Sequence, residues 1–194
     1  MKETFNYSDG ERQVQKSAGV EFFANRLTSM VKTYVANNGI YFIQNQSLFF
    51  ISSVGGDGTL WTSLIRGKRK NFIQFEFDEK IKIHLSDIDW NENDILFQNL
   101  KENPNIGLLF IEFDNRRRYR INGLAELKEN VIHIEVLQAF PNCPKYIQAR
   151  AFDELKKENS ITETLSLDLV KIKNIVEKAD TFTMGTQGKN GGVD

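Results

Sequence analysis

A single cysteine, Cys143, occurs in the 194 residues. It excludes an internal disulfide framework and a cysteine-rich zinc site, and it fits a reducing compartment. No apolar run approaches the length needed to cross a bilayer, so neither a membrane span nor a membrane partner is expected. The opening MKETFNYSDGERQ is too polar for a secretory leader, which makes the cytoplasm the expected location. Excess charge is lacking too: 25 Lys and Arg face 26 Asp and Glu, for a formal charge of −1. No global field then draws the chain to nucleic acid, and any anion site has to be local. Also missing are a nucleotide-binding glycine loop after a strand, a serine at a nucleophile elbow, an HExxH run and paired cysteine ligands. No metal site is expected, and hydrolase and metalloenzyme readings start weak.

What is present is ordinary globular composition, 40% hydrophobic and 26% charged, at a length that suits one core. From Glu11 to Asn37 apolar residues mostly recur at three- and four-residue steps. That spacing predicts helix, capped by Ser8 or Asp9, with Gly19 as a break and Asn37-Asn38-Gly39 as the end. The period then changes. Residues 48–54, 59–66, 71–77, 80–85, 106–113, 117–127 and 131–138 are rich in β-branched and aromatic residues and are joined by short turn sequences. In IKIHL, Ile81, Ile83 and Leu85 share one face; in VIHIEV, Ile132, Ile134 and Val136 do. His84 and His133 fall on the polar faces, where a solvated histidine is commoner than a catalyst. A helix over about 92–103, closed by Pro104, interrupts the strands. The segment beginning PNCPKYIQ becomes helical further on, and Asp168–Lys178 reads as another helix. Six or seven antiparallel strands with a helix crossing between them favour a mainly β (α+β) fold curled into a barrel, which removes exposed edges.

Two stretches overlay without a gap, SLFFISSVGGDGTLW at 47–61 and DTFTMGTQGKNGGVD at 180–194. Phe49/Phe182, Gly55/Gly188 and Gly58/Gly191 are identical, and Ile51/Met184, Ser53/Thr186 and Asp57/Asn190 keep similar chemistry. Each copy is a strand-like run followed by a turn cluster, a combination that unrelated β-hairpins also share.

Two basic clusters remain. Arg66-Gly67-Lys68-Arg69-Lys70 follows the second strand, and Arg116-Arg117-Arg118-Tyr119-Arg120 starts the sixth. Strand alternation sets Arg116, Arg118 and Arg120 on one face and Tyr119 on the other. Such a row suits a phosphate dianion, and it equally suits a charged edge that discourages aggregation. Cys143, beside Pro144, reads as a small packing group rather than a nucleophile.

The segments YSDGERQVQKSAGV (7–20), LWTSLIRG (60–67), NPNIGLLFIEF (103–113), NRRRYRINGLAEL (115–127), FPNCPKYIQAR (140–150) and ADTFTMGT (179–186) together resemble the pyridoxamine 5′-phosphate oxidase-like, FMN-binding split-barrel family. The match is nearest to its long variant with two barrel units in tandem, of which this chain looks like the first unit plus the first hairpin of the second. The resemblance implies a six- to seven-stranded antiparallel split barrel with flanking helices. It divides the chain into an N-terminal helical segment (1–46), a barrel (47–150) and a C-terminal helical segment that starts a further repeat (151–194), one domain overall.

It also implies FMN at a homodimer interface. Trp61, Thr62, Ser63 and Leu64 would run along the ring edge, with Ser63 as a donor. Arg66, Arg118 and Arg120 would hold the phosphate, and Asn142 and Lys145 would lie near the cofactor or the partner subunit. Two departures bear on this. Lys70-Asn71-Phe72 stands where the family has a Gly-Phe pair, and the acidic Ile88-Asp89-Trp90-Asn91-Glu92 stands where related chains carry Gly-Asn-Arg. The expected activity is flavin-dependent oxidoreduction of a small substrate whose identity is unknown, with no side chain required as acid or base. The alternatives are a non-enzymatic dimeric binding or assembly module with a degenerate pocket, and an RNA-binding barrel, which would need aromatics exposed among the cations.

Overall fold

The structure is a computed structural model, and it describes residues 5–77, 79–91, 93–143, 145, 147–151, 169–179, 181–188 and 192–193. The fold is mainly β with flanking helices. Strands β1 (Leu48–Val54), β2 (Leu60–Gly67), β3 (Ile73–Phe77), β4 (Lys80–His84), β5 (Ile88–Asp89), β6 (Asn105–Glu112), β7 (Arg117–Lys128) and β8 (Val131–Asn142) form one antiparallel sheet. Its order is β3-β4-β8-β7-β6-β1-β2-β5, and it curls into a split barrel. The eighth strand beyond the sequence reading is the two-residue β5, which pairs with Arg66 and Gly67 at the end of β2.

Alternation decides the core. Phe49, Ile51, Ile65, Leu108, Phe110, Tyr119, Ile121, Ile132 and Ile134 all point inward and are buried. The β7–β8 hairpin turns on Glu129 and Asn130, both at positive φ (49° and 64°), the geometry a two-residue turn between right-twisted strands requires. Helix α4 (Ile95–Glu102) plugs the barrel with Leu96, Phe97 and Leu100, and buried Asn99 donates to Ser53 Oγ at 2.9 Å.

At the N-terminus, α1 (Asp9–Ser17) begins with the capping box of Ser8 and Glu11, and Gly19 separates it from α2 (Glu21–Leu27). The break expected at Gly19 is present, but helix does not run on to Asn37 as expected. After a 3₁₀ turn at Thr28–Met30 the chain extends, and Lys32 exchanges two backbone hydrogen bonds with Ala139 (3.0 and 2.7 Å). Asn37-Asn38-Gly39 then starts a helix, α3 (Asn37–Gln44), instead of ending one. The free edge of β8 outbids the helical periodicity of Val31, Tyr34 and Val35. Gly39 is needed there because a methyl group on it would sit 2.8 Å from the Tyr119 ring. The helix expected after PNCPKYIQ falls within 152–168 and lies outside the described residues, whereas α5 (Leu169–Lys178) is present.

The overlaid turns share a register. Gly55 N–H donates to Thr59 O at 2.9 Å, and at the corresponding place Gly188 N–H donates to Gly192 O at 2.8 Å. Val54 pairs with Leu60 in the first copy, and Gln187 bridges Val193 in the second.

Candidate cofactor site

Directly paired residues of a sheet share a face, which allows the expected site residues to be placed. Ser52 pairs with Thr62, Phe50 with Leu64 and Leu48 with Arg66; Leu109 pairs with Arg120, Ile111 with Arg118, and Arg118 with Asn142. Thr62, Leu64, Arg66, Arg118, Arg120 and Asn142 therefore all belong to the outer face of the barrel. Trp61 and Ser63 belong to the opposite face. Ser63 is buried and donates to Asp94 Oδ1 at 2.7 Å, and that carboxylate also accepts from Leu96 N–H at 2.9 Å. Its hydroxyl thus tethers the start of α4 to β2 and is engaged away from the outer face. Trp61 is exposed near the open end of β2, and Lys145 is exposed in the loop after β8.

The three expected phosphate ligands do not converge. Arg118 and Arg120 are neighbours on β7, but Arg66 sits on β2, three strands away, about 14 Å at the usual strand spacing. Arg66 Nε lies 3.9 Å from Asp89, and Arg69 grips Asp87 with two hydrogen bonds of 2.8 and 2.6 Å. The acidic crossover noted in the sequence therefore answers the first basic cluster. Arg69 holds the Asp87 carboxyl below its ordinary value, chiefly through the hydrogen bond. Arg116 is not part of a row either: it occupies the turn before β7 at φ 55°. Arg117 pairs with Glu112 at 2.6 Å and lies over the Phe42 ring at 5.2 Å.

What remains is a compact site at the start of β7. Arg118 Nη2 donates to the Cys143 carbonyl at 2.6 Å, while its buried Nε has no hydrogen-bond partner among the described residues. Across the strand, Asn142 Oδ1 is buried and likewise unbonded among them. Burial lowers the Arg118 pKa, and the positive charge of Arg120 lowers it further. An anion placed against this pair would relieve both effects, since it would accept from Nε and neutralise two like charges. Cys143, expected to pack as a small apolar group, is exposed; only its carbonyl is drawn into the site, because the loop follows Arg118 outward.

The other sequence departure is a conservative one. Asn71 takes φ 54°, the left-handed conformation a glycine supplies freely and asparagine tolerates, and Phe72 is fully buried behind it. One contact escaped the sequence reading: Gly185 lies against Ser52 and Thr62 on the same outer face. The overlay pointed to the turn of that segment but carried no signal for where it packs.

Among the described residues no group of three or more His, Cys, Asp and Glu could hold a metal ion, and no helix is long and apolar enough to cross a membrane. No protein-family model and no curated protein matches the chain. Solved structures do. An FMN-binding protein from Syntrophomonas wolfei matches at 13% identity over 68% of this chain and 96% of its own, with a TM-score of 0.41. HupZ from Group A Streptococcus matches at 17% identity over 61% of this chain and 99% of its own, with a TM-score of 0.45. A protein of the pyridoxinephosphate oxidase family from Clostridium acetobutylicum, related to general stress protein 26, matches at 11% over 53% of this chain and 89% of its own, with a TM-score of 0.36. Proteins described as FMN-binding and as of the pyridoxinephosphate oxidase family are among the structures this chain is similar to.

Proposed function

We propose that the chain is a flavin-binding split-barrel protein that uses FMN in redox chemistry on a small substrate and works as a homodimer in the cytoplasm. The observation that carries this reading is Arg118: a buried guanidinium N–H without a partner among the described residues, beside a second arginine, on the face where the resemblance puts the flavin phosphate. Arg118 and Arg120 would take the phosphate, with Asn142 at its side. Leu64 and the backbone of β2 beside it would lie along the flat ring, while Thr62 has Gly185 against its hydroxyl and drops out of the ring contacts. Bound FMN would supply the electron-accepting centre, and the protein's part is to bind, orient and shield it. Arg66, answered by Asp89, drops out of the phosphate set, and Ser63, engaged by Asp94, drops out of the ring donors.

The test is a fluorescence titration with FMN. Arg118→Ala is expected to weaken binding about tenfold or more, consistent with losing a charge-assisted contact, and Arg66→Ala to leave it within about twofold. Equal affinities for wild type and Arg118→Ala would remove the β7 arginines from the site. A second reading, a dimeric binding module whose flavin pocket has decayed, is favoured by the Arg66–Asp89 and Arg69–Asp87 pairs, which spend the first basic cluster on the protein itself. A colourless purified protein whose melting temperature does not rise with added FMN would select it.

A further inference from the structure

The sheet has two ends, and they are finished differently. At one, β3 carries a register break between Phe75 and Phe77, and Glu76 is ion-paired to Lys82 at 2.6 Å. A bulge and charges of this kind blunt an edge against unwanted pairing. At the other end only Arg66 and Gly67 of β2 are covered, by the two residues of β5. The chain then leaves the plane of the sheet, because Asp94 comes to Ser63 on the inner face. Among the described residues that leaves 60–65 as the outermost strand, and not one of the six is charged, Gly or Pro.

Which way each residue turns its backbone follows from the hydrogen bonds at the strand ends. Gly55 N–H donates to Thr59 O and Gly67 N–H to Ser47 O, both at 2.9 Å. Antiparallel bonding repeats every two residues, so Trp61, Ser63 and Ile65 turn toward β1. The even-numbered residues turn the other way: Lys68 N–H donates to Asp87 O at 2.8 Å, and Arg66 pairs with Asp89. Leu60, Thr62 and Leu64 share that phase and have no strand opposite them among the described residues. Their N–H and C=O groups alternate along about 20 Å of open edge. We propose that residues 60–65 of β2 are a docking edge for an extended segment of another protein, which joins the sheet as a further antiparallel strand in line with β5.

The edge specifies that occupant. An extended main chain presents acceptors and donors at the matching spacing, and side-chain contacts at alternate positions add selectivity. Trp61, 46% exposed, stands on one face and Leu64, 50% exposed, on the other. Both call for β-branched or aromatic residues directly across from them. An antiparallel segment runs its C-terminal end toward the 55–58 turn, where Asp57 is exposed and Glu102 accepts from Gly56 N–H at 2.7 Å. Two carboxylates there select Lys or Arg at that end of the segment. The added strand lies in the plane of the sheet, whereas the flavin reading uses its outer face, so neither depends on the other.

Residue-by-residue hydrogen exchange on the full chain tests this, with an acetylated peptide of alternating Val and Thr ending in Lys-Lys as the probe. In the chain alone the Thr62 and Leu64 amides should exchange about tenfold or more faster than those of Ser63 and Ile65. Saturating peptide should slow Thr62 and Leu64 about tenfold or more and leave Ser63 and Ile65 unchanged. N-methylating one alternate set of peptide residues, those whose N–H would face β2, should abolish this protection, and N-methylating the other set should not. Leu64→Pro removes a donor from the open edge alone and is expected to weaken peptide binding about tenfold. Trp61→Lys keeps every backbone group, serves if the proline variant misfolds, and is expected to weaken binding about threefold or more. Thr62 and Leu64 amides already protected in the chain alone, no slowing with peptide, or equal loss from both N-methylated peptides overturns the proposal. Protection that rises with protein concentration in the absence of peptide assigns the edge to a second copy of the chain and overturns it as well.

Discussion

The hairpin at 48–67 and its repeat, described at 181–188 and 192–193, share a closing hydrogen bond and differ in what lies beneath it. Phe49 and Ile51 are 0% and 1% exposed, whereas their counterparts Phe182 and Met184 are each 72% exposed. The turn hydrogen bonds are the same to within 0.1 Å, 2.9 against 2.8 Å. A turn is therefore specified by a handful of local residues and forms wherever they occur. Burial is not local: β1 has β2, β6 and α4 packed around it, whereas the second copy rests Gly185 on Ser52 and Thr62 of the first.

Ile51→Ala against Met184→Ala is the strongest attempt to break this contrast. Emptying the buried site is expected to cost about 2–5 kcal/mol in urea unfolding, and truncating the exposed one less than about 0.5. Comparable losses would mean that the second hairpin has a core of its own.

A smaller effect is expected where the first hairpin is tied to α4. Asp94→Ala removes both the Ser63 tether and the helix cap and should cost about 1–2 kcal/mol; Ser63→Ala alone should cost about 1. If Ser63→Ala instead leaves stability unchanged and weakens FMN binding, its hydroxyl belongs to the flavin after all.

At the turns themselves, a methyl group on Gly55 would meet Asp57 Oδ1 at 2.9 Å and disturb its bond to Thr59 N–H, whereas among the described residues one on Gly188 meets only Gly192 O at 3.8 Å. Gly55→Ala is accordingly expected to cost about 1 kcal/mol and Gly188→Ala close to nothing by the same unfolding measurement.

The least effect concerns the loop that follows the first hairpin. Arg69 lowers the Asp87 pKa in the folded state, so the pair stabilises the fold above the unfolded carboxyl value, about 3.9, and that contribution is lost as pH falls through the lower folded value. The difference in urea midpoint between wild type and Arg69→Ala should be small at neutral pH, shrink with added salt and vanish in acid. A difference that persisted in acid would assign Arg69 a packing role instead.

Much of the barrel was legible because period-two alternation in segments such as IKIHL and VIHIEV reports one buried face, and because Glu129-Asn130 and GGDG are local turn signals. The N-terminal misreading has the opposite origin. Val31, Tyr34 and Val35 keep a helical spacing, but Lys32 completes the open edge of β8 more than a hundred residues on, and no local pattern announces that. The site was half legible for the same reason. Alternation put Arg118 and Arg120 together on one face; the distance of Arg66 and its pairing with Asp89 follow from strand order and from the two-residue β5.

The sequence by itself determined the strands, their inward faces, the capped start of α1 and the twin turns, because each depends on residues within a few positions of one another. Only the tertiary structure decided which strand neighbours which, that Ser63 serves α4, that Arg66 stands apart from the β7 arginines, and that Gly185 comes to rest on Ser52. Those are contacts between distant parts of the chain, chosen by the burial of apolar surface and the pairing of open backbone edges, and a linear pattern carries no record of them.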